Sequence, residues 1–487
     1  MHEQYHPAKQ PEYPGIISHE NICAIFDGAG DFISRELSVC GCTLYIYAID
    51  GLTSGSEISE YVVRPLMEQV RGMTMKALYH NALYSAVYNS VADPCTDLDT
   101  VAKKLVNGFS VVLFPGVGAI AFENKTGEKR GPSEPEVENT VKGAKDAFTE
   151  TVRTNTSLVR RHLRTPDLRL TEKTVGRRSL TNVTVAWIKG LTNPEYVRAM
   201  EQRLDEIDID GLLSPSAVEE YITGSRKTAF PLLAYTERTD KFCRGLLAGR
   251  VGLLVDGLPL GYLAPVDFAS LMDSPEDRAT DYVSASCIRV LRYAALLISL
   301  LLPGLYIAMA AFHQEMLPTK LLLSLIESKT LVPFPTIFEV LSLLIAFELL
   351  QEAGVSLPQA IGQTISIIGG LVVGTAAVEA KLISPAALIV VSIAGICGFV
   401  LPGKDFSDAV RVWRFAIAAC AGFAGLFGIS VAFLLLLLHL SSLTSLGVPY
   451  LSPFSSVSGL RMLLRPRLKT MKYRDPDLHP ENIRNQR

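Results

Sequence analysis

One of the most apolar stretches of the chain, FPTIFEVLSLLIAFELLQEAG at residues 334–354, carries three glutamates. A carboxylate inside an apolar helix is costly, so it usually serves an ion or proton path or is held by a buried contact. At about 100° per residue, Glu348 and Glu352 share one helix face and Glu339 lies on the opposite face. Glu339 and Glu352 lie near the ends and can reach the interface. Glu348 is therefore the candidate for an ion path, with a buried hydrogen bond or helix contact as the alternative.

A second apolar segment, residues 360–380, is interrupted by polar residues and glycines. Gln363 and Thr364 are further candidates for lining an ion path, because polar groups at membrane depth must face protein or water. Gly370 and Gly374 form a small-xxx-small pair, which lets two helices approach closely. We expect this pair to serve helix packing.

Positioning these residues requires a helical membrane domain. Apolar segments lie at residues 293–312, 335–350, 360–380, 384–401 and 415–438. Arg289 and Arg292 lie just before the first segment and six basic residues lie at positions 461–474 after the last, so both ends are expected in the cytosol, with an even number of crossings. The glycine-rich segment at 360–380 is expected to be broken or re-entrant, which leaves about four crossings. Arg411 and Arg414 then fall on the outside, against the charge rule.

The first half of the chain is richer in charge and contains an internal repeat. Ile49-Asp50-Gly51-Leu52-Thr53 is echoed by Ile188-Lys189-Gly190-Leu191-Thr192, and each is followed by a second helix–strand pair that ends in a turn at Gly116 or Gly257. Matched order and spacing indicate two related units. The Gly-Leu-Thr elements could bind a ligand, but a tight turn before a helix, with the threonine as its N-cap, is favoured.

The predicted architecture is therefore α+β/α, with two related cytosolic α/β lobes followed by an α-helical multi-pass membrane domain. The predicted domains are an N-terminal tail at 1–17, lobes at 18–125 and 140–285, a linker at 126–139, a transmembrane domain at 289–452 and a basic cytosolic tail at 453–487.

A basic stretch in the second lobe is a candidate surface for a protein partner or anionic lipid. Its candidate residues are Arg160, Arg161, Arg164, Arg177 and Arg178. A solvated or salt-bridged helix face is the favoured alternative, and the stretch lacks the aromatic residues that stack on nucleic-acid bases. The motifs of nucleotide-binding, hydrolytic and metal-dependent enzymes are missing as well. We expect no nucleic acid, no cofactor, no metal and no enzymatic activity. The N-terminal residues lack the apolar core of a secretory signal, which favours a reducing compartment for the eight scattered cysteines.

Several long stretches resemble one family, the A subunits of spore germinant receptors in endospore-forming bacteria. They include RTNTSLVRRHLRTPDLRL and GRVGLLVDGLP in the first half, and FHQEMLPTKLLLSL and GVPYLSPF in the second. The resemblance covers about residues 40–460.

This resemblance implies a multi-pass protein of the spore inner membrane, with both termini on the cytosolic (core) side. It implies two partners, a transporter-like B subunit and a lipoprotein C subunit. It also implies homo-oligomerisation into a nutrient-gated channel that releases monovalent cations and triggers germination. A non-conducting scaffold subunit and a secondary transporter are the alternatives.

Overall fold

The computed structural model consists of two compact units. Unit 1 comprises residues 1–225, 233–265 and 471–487, and unit 2 comprises residues 226–232 and 266–470. The structure describes residues 12–69, 72–125, 135, 138, 140, 142–224, 227–356, 374–455, 464–465 and 467–485.

Lobe 1 of unit 1 is an antiparallel sheet in the order β1-β2-β4-β5-β3, covered by helices on both faces. Alternation along β2 supplies both cores, because Tyr47 and Ile49 pack on one face and Leu44 and Ile46 on the other. The strands are β1 Phe32–Val39, β2 Cys42–Ile49, β3 Ala92–Cys95, β4 Phe109–Phe114 and β5 Gly118–Glu123. The helices are α1 His19–Ile25, α2 Gly55–Glu57, α3 Arg64–Met67, α4 Met75–Asn81 and α5 Leu98–Val106, with π-helical segments at Ile58–Val63 and Ala82–Ala86.

Lobe 2 of unit 1 has the same strand order, β6-β7-β9-β10-β8, and its strand pairs are also antiparallel. The strands are β6 Leu168–Val175, β7 Thr181–Ile188, β8 Ala234–Thr236, β9 Val251–Val255 and β10 Gly261–Ala264. The helices are α6 Val152–His162, α7 Pro194–Asp205, α8 Pro215–Thr223 and α9 Thr239–Leu247.

The repeated Gly-Leu-Thr elements form equivalent turns after β2 and β7. Gly51 has φ +76° and Gly190 has φ +72°, a region that favours glycine. The expectation that the threonines cap the following helices is wrong. The caps are the next residues, Ser54 and Asn193, because each threonine instead uses its hydroxyl to bond the backbone at the end of the strand.

The two lobes are joined by a buried ion pair between α6 and the start of β1. The Arg160 guanidinium donates two hydrogen bonds to the Asp31 carboxylate, at 2.7 and 2.8 Å, and is only 1% exposed. Nearby, the Ser157 hydroxyl donates to the Gly51 carbonyl at 2.6 Å. The Gly30 N–H donates to the Leu170 carbonyl at 2.9 Å. These contacts place α6 against the Gly-Leu-Thr turn of lobe 1.

The last described residues complete lobe 2. The backbones of Arg474 and Ile483 are hydrogen-bonded, which forms a hairpin, and the Glu481 N–H donates to the Leu191 carbonyl at 2.9 Å. Pro480 packs against Gly249. The chain therefore leaves unit 1 after residue 265 and re-enters it at residue 471.

Unit 2 is predominantly helical. Its helices are α10 Phe268–Leu271, α11 Glu276–Ala279, α12 Tyr282–Ala311, α13 Thr319–Lys329, α14 Thr336–Ser356, α15 Pro385–Phe399, α16 Lys404–Ser442 and α17 Ser452–Ser455, with a short ladder of β11 Thr444–Ser445 and β12 Val448–Pro449. Among the described residues, α12 and α16 are long and apolar enough to cross a membrane. The number of crossings stays a prediction.

The long helices α12 and α16 pack along each other. Within α16 the helical geometry is broken at Gly425, where φ is +59°. A Cβ atom there would lie 2.8 Å from the His313 ring, so only glycine fits without displacing it. In the first half of α12, Arg292 donates two hydrogen bonds to Asp277, at 2.8 and 2.9 Å, which anchors α11 to α12.

We expect Asp31→Asn to destabilise unit 1 by about 3 kcal/mol, because it leaves the buried Arg160 charge uncompensated. The measurement is urea unfolding of the full chain in detergent, followed by Trp187 fluorescence in a Trp413→Phe background. Asp208→Asn removes the exposed partner of Arg177 and is the matched control, with no measurable effect expected. Equal effects of the two substitutions would contradict this role.

Unit 1 should also lose stability as the solution becomes alkaline. The hydrogen bond from His162 Nε2 to Asp146 raises the pKa of His162, against an opposing effect of burial, and lowers the pKa of Asp146. A histidine whose pKa is higher in the folded state than in the unfolded state stabilises the folded state at pH values below the unfolded pKa. This contribution disappears as pH rises through the folded pKa. The free energy of unfolding should therefore fall above about pH 6.5, by roughly 1 kcal/mol or less.

The same ion pair sets an acid limit, because its contribution also disappears as pH falls through the lowered pKa of Asp146. His162→Gln should flatten the alkaline fall in a pH series of urea unfolding curves, and His80→Gln should leave it in place. An unchanged profile in the His162 variant would assign the fall to other groups.

Candidate functional site

Helix α14 carries two acids into the interior of unit 2. Glu339 is 1% exposed and the Glu348 side chain is 26% exposed, whereas Glu352 is on the surface. Glu339 is therefore enclosed by protein, although it lies near the end of the apolar segment. Glu339 and Glu348 contact different helices, as their positions on opposite faces of α14 require.

Glu348 bridges α14 and α16. Its Oε1 accepts from Arg414 at 2.6 Å and its Oε2 accepts from Arg411 at 3.0 Å. Arg411 also pairs with Asp408 at 2.6 Å. The two arginines are one helical turn apart, so both reach the same carboxylate. We call Glu348, Asp408, Arg411 and Arg414 the charge cluster.

The charge cluster contains two guanidinium groups and two carboxylates, so its formal charges cancel. The Arg414 side chain is 1% exposed, and its Nε has no hydrogen-bond partner among the described residues. Removing water from the Arg414 charge is costly without a partner. Glu348 is thus not a free carboxylate, and a cation that binds it must compete with two guanidinium groups.

Glu339 forms a second polar site at the N-terminus of α15. Its Oε1 accepts a hydrogen bond from the Ser384 N–H, and the Ser384 hydroxyl in turn accepts from the Ala387 N–H at 3.3 Å. A negative charge is favourable at this end of a helix. Lys329 Nζ lies 3.6 Å from Glu339 Oε2, and the Tyr306 hydroxyl lies 3.4 Å from the Ser384 hydroxyl. Glu339 therefore ties together α13, α14 and α15.

Of the remaining candidate residues in the apolar segments, Gly374 lies among the described residues. Gln363, Thr364 and Gly370 lie outside the described residues. Gly374 is buried, and a Cβ atom there would lie 3.4 Å from Leu388 of α15, so its backbone is close to that helix.

The basic stretch of lobe 2 is divided between interior and surface. Arg160 is buried in the ion pair with Asp31, so its charge serves the joint between the lobes. Arg161 and Arg164 are exposed, and Arg164 donates to the Asn107 side chain at 3.3 Å. Arg161 and Arg164 stay predicted contacts for a protein or lipid.

Arg177 and Arg178 are exposed and lie in the loop between β6 and β7. They pair with Asp208 at 2.5 Å and Asp210 at 3.5 Å. Such exposed pairs contribute little to stability. These two arginines also stay predicted contacts for a protein or lipid.

Several residues of these sites were missed by reasoning from the sequence. Arg411 and Arg414 were placed outside the membrane, although an acid in an apolar helix requires a nearby positive charge. Lys329 and Ser384 lie on segments with no motif, so only the fold brings them to Glu339. Among the described residues, no group of three or more His, Cys, Asp or Glu side chains could hold a metal ion.

The chain matches the family described as Bacillus/Clostridium GerA spore germination protein over residues 20–477. It is 35% identical to the Bacillus subtilis (strain 168) protein named uncharacterized membrane protein YfkQ, over 90% of this chain and 85% of the relative. It is 33% identical to spore germination protein KA of the same organism, over 88% of this chain and 80% of the relative.

A solved structure also matches, the N-terminal domain of the A subunit of the Bacillus megaterium spore germinant receptor GerK3. The identity is 27%, the coverage is 51% of this chain and 92% of that chain, and the TM-score is 0.40.

We expect Glu348→Gln to destabilise unit 2 by about 3 kcal/mol, because Arg414 loses its charged partner in a buried place. Thermal unfolding in detergent, followed by Trp413 fluorescence in a Trp187→Phe background, measures this effect next to the site. Glu352→Gln is the control on the exposed part of the same helix and should be neutral. The double variant Glu348→Gln/Arg414→Gln should recover part of the loss. A double variant less stable than either single variant would contradict this pairing.

Proposed function

The chain belongs to the GerA family of Bacillus/Clostridium spore germination proteins, and from this we propose that it is the A subunit of a nutrient germinant receptor in the spore inner membrane. It acts with a transporter-like B subunit and a lipoprotein C subunit. Copies of the chain assemble into a nutrient-gated channel, which releases monovalent cations and starts germination. Its role is conduction and signalling rather than enzymatic catalysis.

The proposed topology has both termini on the cytosolic (core) side and about four crossings in unit 2. It is supported by the return of the chain to unit 1 at residue 471. A chain that leaves a folded body on one side of a membrane and returns to it must cross the membrane an even number of times. It is also supported by the length and apolar character of α12 and α16.

The observation that carries the ion-conduction part of the proposal is the charge cluster in the apolar unit 2, with its buried Arg414. A domain that only anchors a protein can hold its helices together by apolar contacts, without the desolvation cost of ionised groups. In an ion-conducting assembly the same groups provide a polar surface. Glu348 is the proposed ion-path residue of the cluster, and Gln363 and Thr364 are its proposed companions.

Gating then requires two arrangements of the subunit that differ in free energy. A nutrient bound to the B subunit shifts this equilibrium only by the difference between its contact free energies with the closed and open states. A change in the ion-pair partners of Glu348 is a suitable difference between the closed and open arrangements, because the ion pair forms or breaks as a whole.

Two other functions are alternatives to the proposed channel, and each requires a different feature of the chain. A non-conducting scaffold needs only the partner-binding surfaces of unit 1. A secondary transporter needs a substrate site at a broken helix, and the polar segment around Gln363 is the place for it. The sequence of unit 2 has no visible internal repeat, which counts against the transporter.

Liposomes containing the purified chain should release K⁺ above the background of empty liposomes. The double variant Glu348→Gln/Arg414→Gln keeps the charge cluster neutral. Its K⁺ release should differ from that of the unaltered chain, about tenfold for a shift of ~1.4 kcal/mol in the closed–open equilibrium. Fluorescent K⁺ indicators or a K⁺ electrode measure the release.

Glu352→Gln is the control and should conduct like the unaltered chain. Absence of release from liposomes that contain correctly assembled chain would favour the scaffold. Normal release from the double variant would remove Glu348 from the ion path.

A further inference from the structure

The side chains around Glu339 form a small polar pocket inside unit 2. Glu339 and Thr336 come from α14, Tyr306 from α12 and Lys329 from the end of α13. The Lys329 ammonium donates to the Thr336 hydroxyl, lies 3.6 Å from Glu339 Oε2 and lies 5.5 Å from the centre of the Tyr306 ring. We call Glu339, Thr336 and Tyr306 the Glu339 pocket.

The carboxylate of this pocket has one hydrogen bond and one longer ion pair. Oε1 accepts the Ser384 N–H, but Oε2 is buried and has no hydrogen-bond partner among the described residues. A buried carboxylate oxygen without a close positive or donor group is costly. The ammonium at 3.6 Å offsets this cost less well than a cation in direct contact would.

The pocket offers the ligands that suit a singly charged cation. It presents one carboxylate oxygen, one hydroxyl oxygen and the face of a phenol ring, which attracts cations. A divalent cation such as Ca²⁺ or Mg²⁺ takes at least six oxygen ligands, usually with more than one carboxylate. The single negative charge of Glu339 matches one positive charge.

Lys329 is well placed to leave the pocket. It is the last residue of α13, and every side chain of that helix is at least partly exposed. Its own side chain is 24% exposed, and its ammonium is carried on a flexible four-carbon stem. The group that fills the pocket is thus attached to the least buried helix of those that form it.

We propose that the Glu339 pocket is a binding site for a monovalent cation, and that Lys329 fills it in this structure as a tethered ammonium ion. Departure of Lys329 opens the pocket to K⁺, Na⁺ or a small alkylammonium ion. The site is separate from the charge cluster and does not require that the chain conduct ions.

The test removes the tethered ammonium and supplies free cations. Full-length Lys329→Ala in detergent is titrated with KCl, NaCl or methylammonium chloride, with choline chloride keeping the ionic strength constant. The melting temperature should rise by several degrees and saturate, because a ligand that binds only the folded state stabilises it. Methylammonium, which replaces the lost head group, should restore most of the stability lost in the variant. The unaltered chain should respond less, because its own ammonium competes.

Glu339→Gln in the Lys329→Ala background keeps the acceptor for Ser384 and removes the charge, so it should abolish the cation response. A response that persists in this double variant would overturn the proposal, as would a Lys329→Ala variant that is folded but insensitive to all three cations. Should Lys329→Ala not fold, Lys329→Met retains the apolar stem and is tested in the same way. A cation response of equal size in Lys329→Ala and in the control Lys320→Ala would also overturn it.

Discussion

A charge that is withdrawn from water must be matched by another charge, and this requirement shapes both units of the protein. In unit 1, Arg160 and Asp31 join two lobes that each have their own sheet. In unit 2, Glu348 meets Arg411 and Arg414 between α14 and α16. Each pair fixes the relative position of two elements, because a shift of about an ångström would leave both partners buried and unmatched. Apolar packing supplies most of the stability, and these pairs select one arrangement of the packed elements.

The local features of the fold could be predicted from the sequence. The repeated Gly-Leu-Thr turns, with glycine at positive φ, follow from strand, turn and helix signals within a few residues of one another. The placement of Glu339 and Glu348 on different faces of α14 follows from helical geometry alone. The family could also be inferred, since long ordered stretches such as GRVGLLVDGLP carry the resemblance, and the match over residues 20–477 confirms it.

The partners of the buried charges could not be predicted in the same way. Arg160 and Asp31 are separated by 129 residues, and Glu348 and Arg414 by 66. No periodicity connects positions so far apart. The crossing count assigns Arg411 and Arg414 to the outer side of the membrane, against the positive-inside rule, and gives no indication that α16 brings both of them to Glu348. The contacts of Glu339 with Lys329 of α13 and Ser384 before α15 could not be inferred from its place near a segment end either.

The return of the chain to unit 1 at residue 471 has a consequence for the order of biosynthesis. The carbonyl of Leu191 and the surface near Gly249 receive Glu481 and Pro480, which leave the ribosome only after all of unit 2 has been made. Lobe 2 therefore stays incomplete while the helices of unit 2 are being synthesised. A chain truncated within α16 lacks Pro480 and Glu481, so it leaves the Leu191 carbonyl without this hydrogen bond and the surface near Gly249 uncovered.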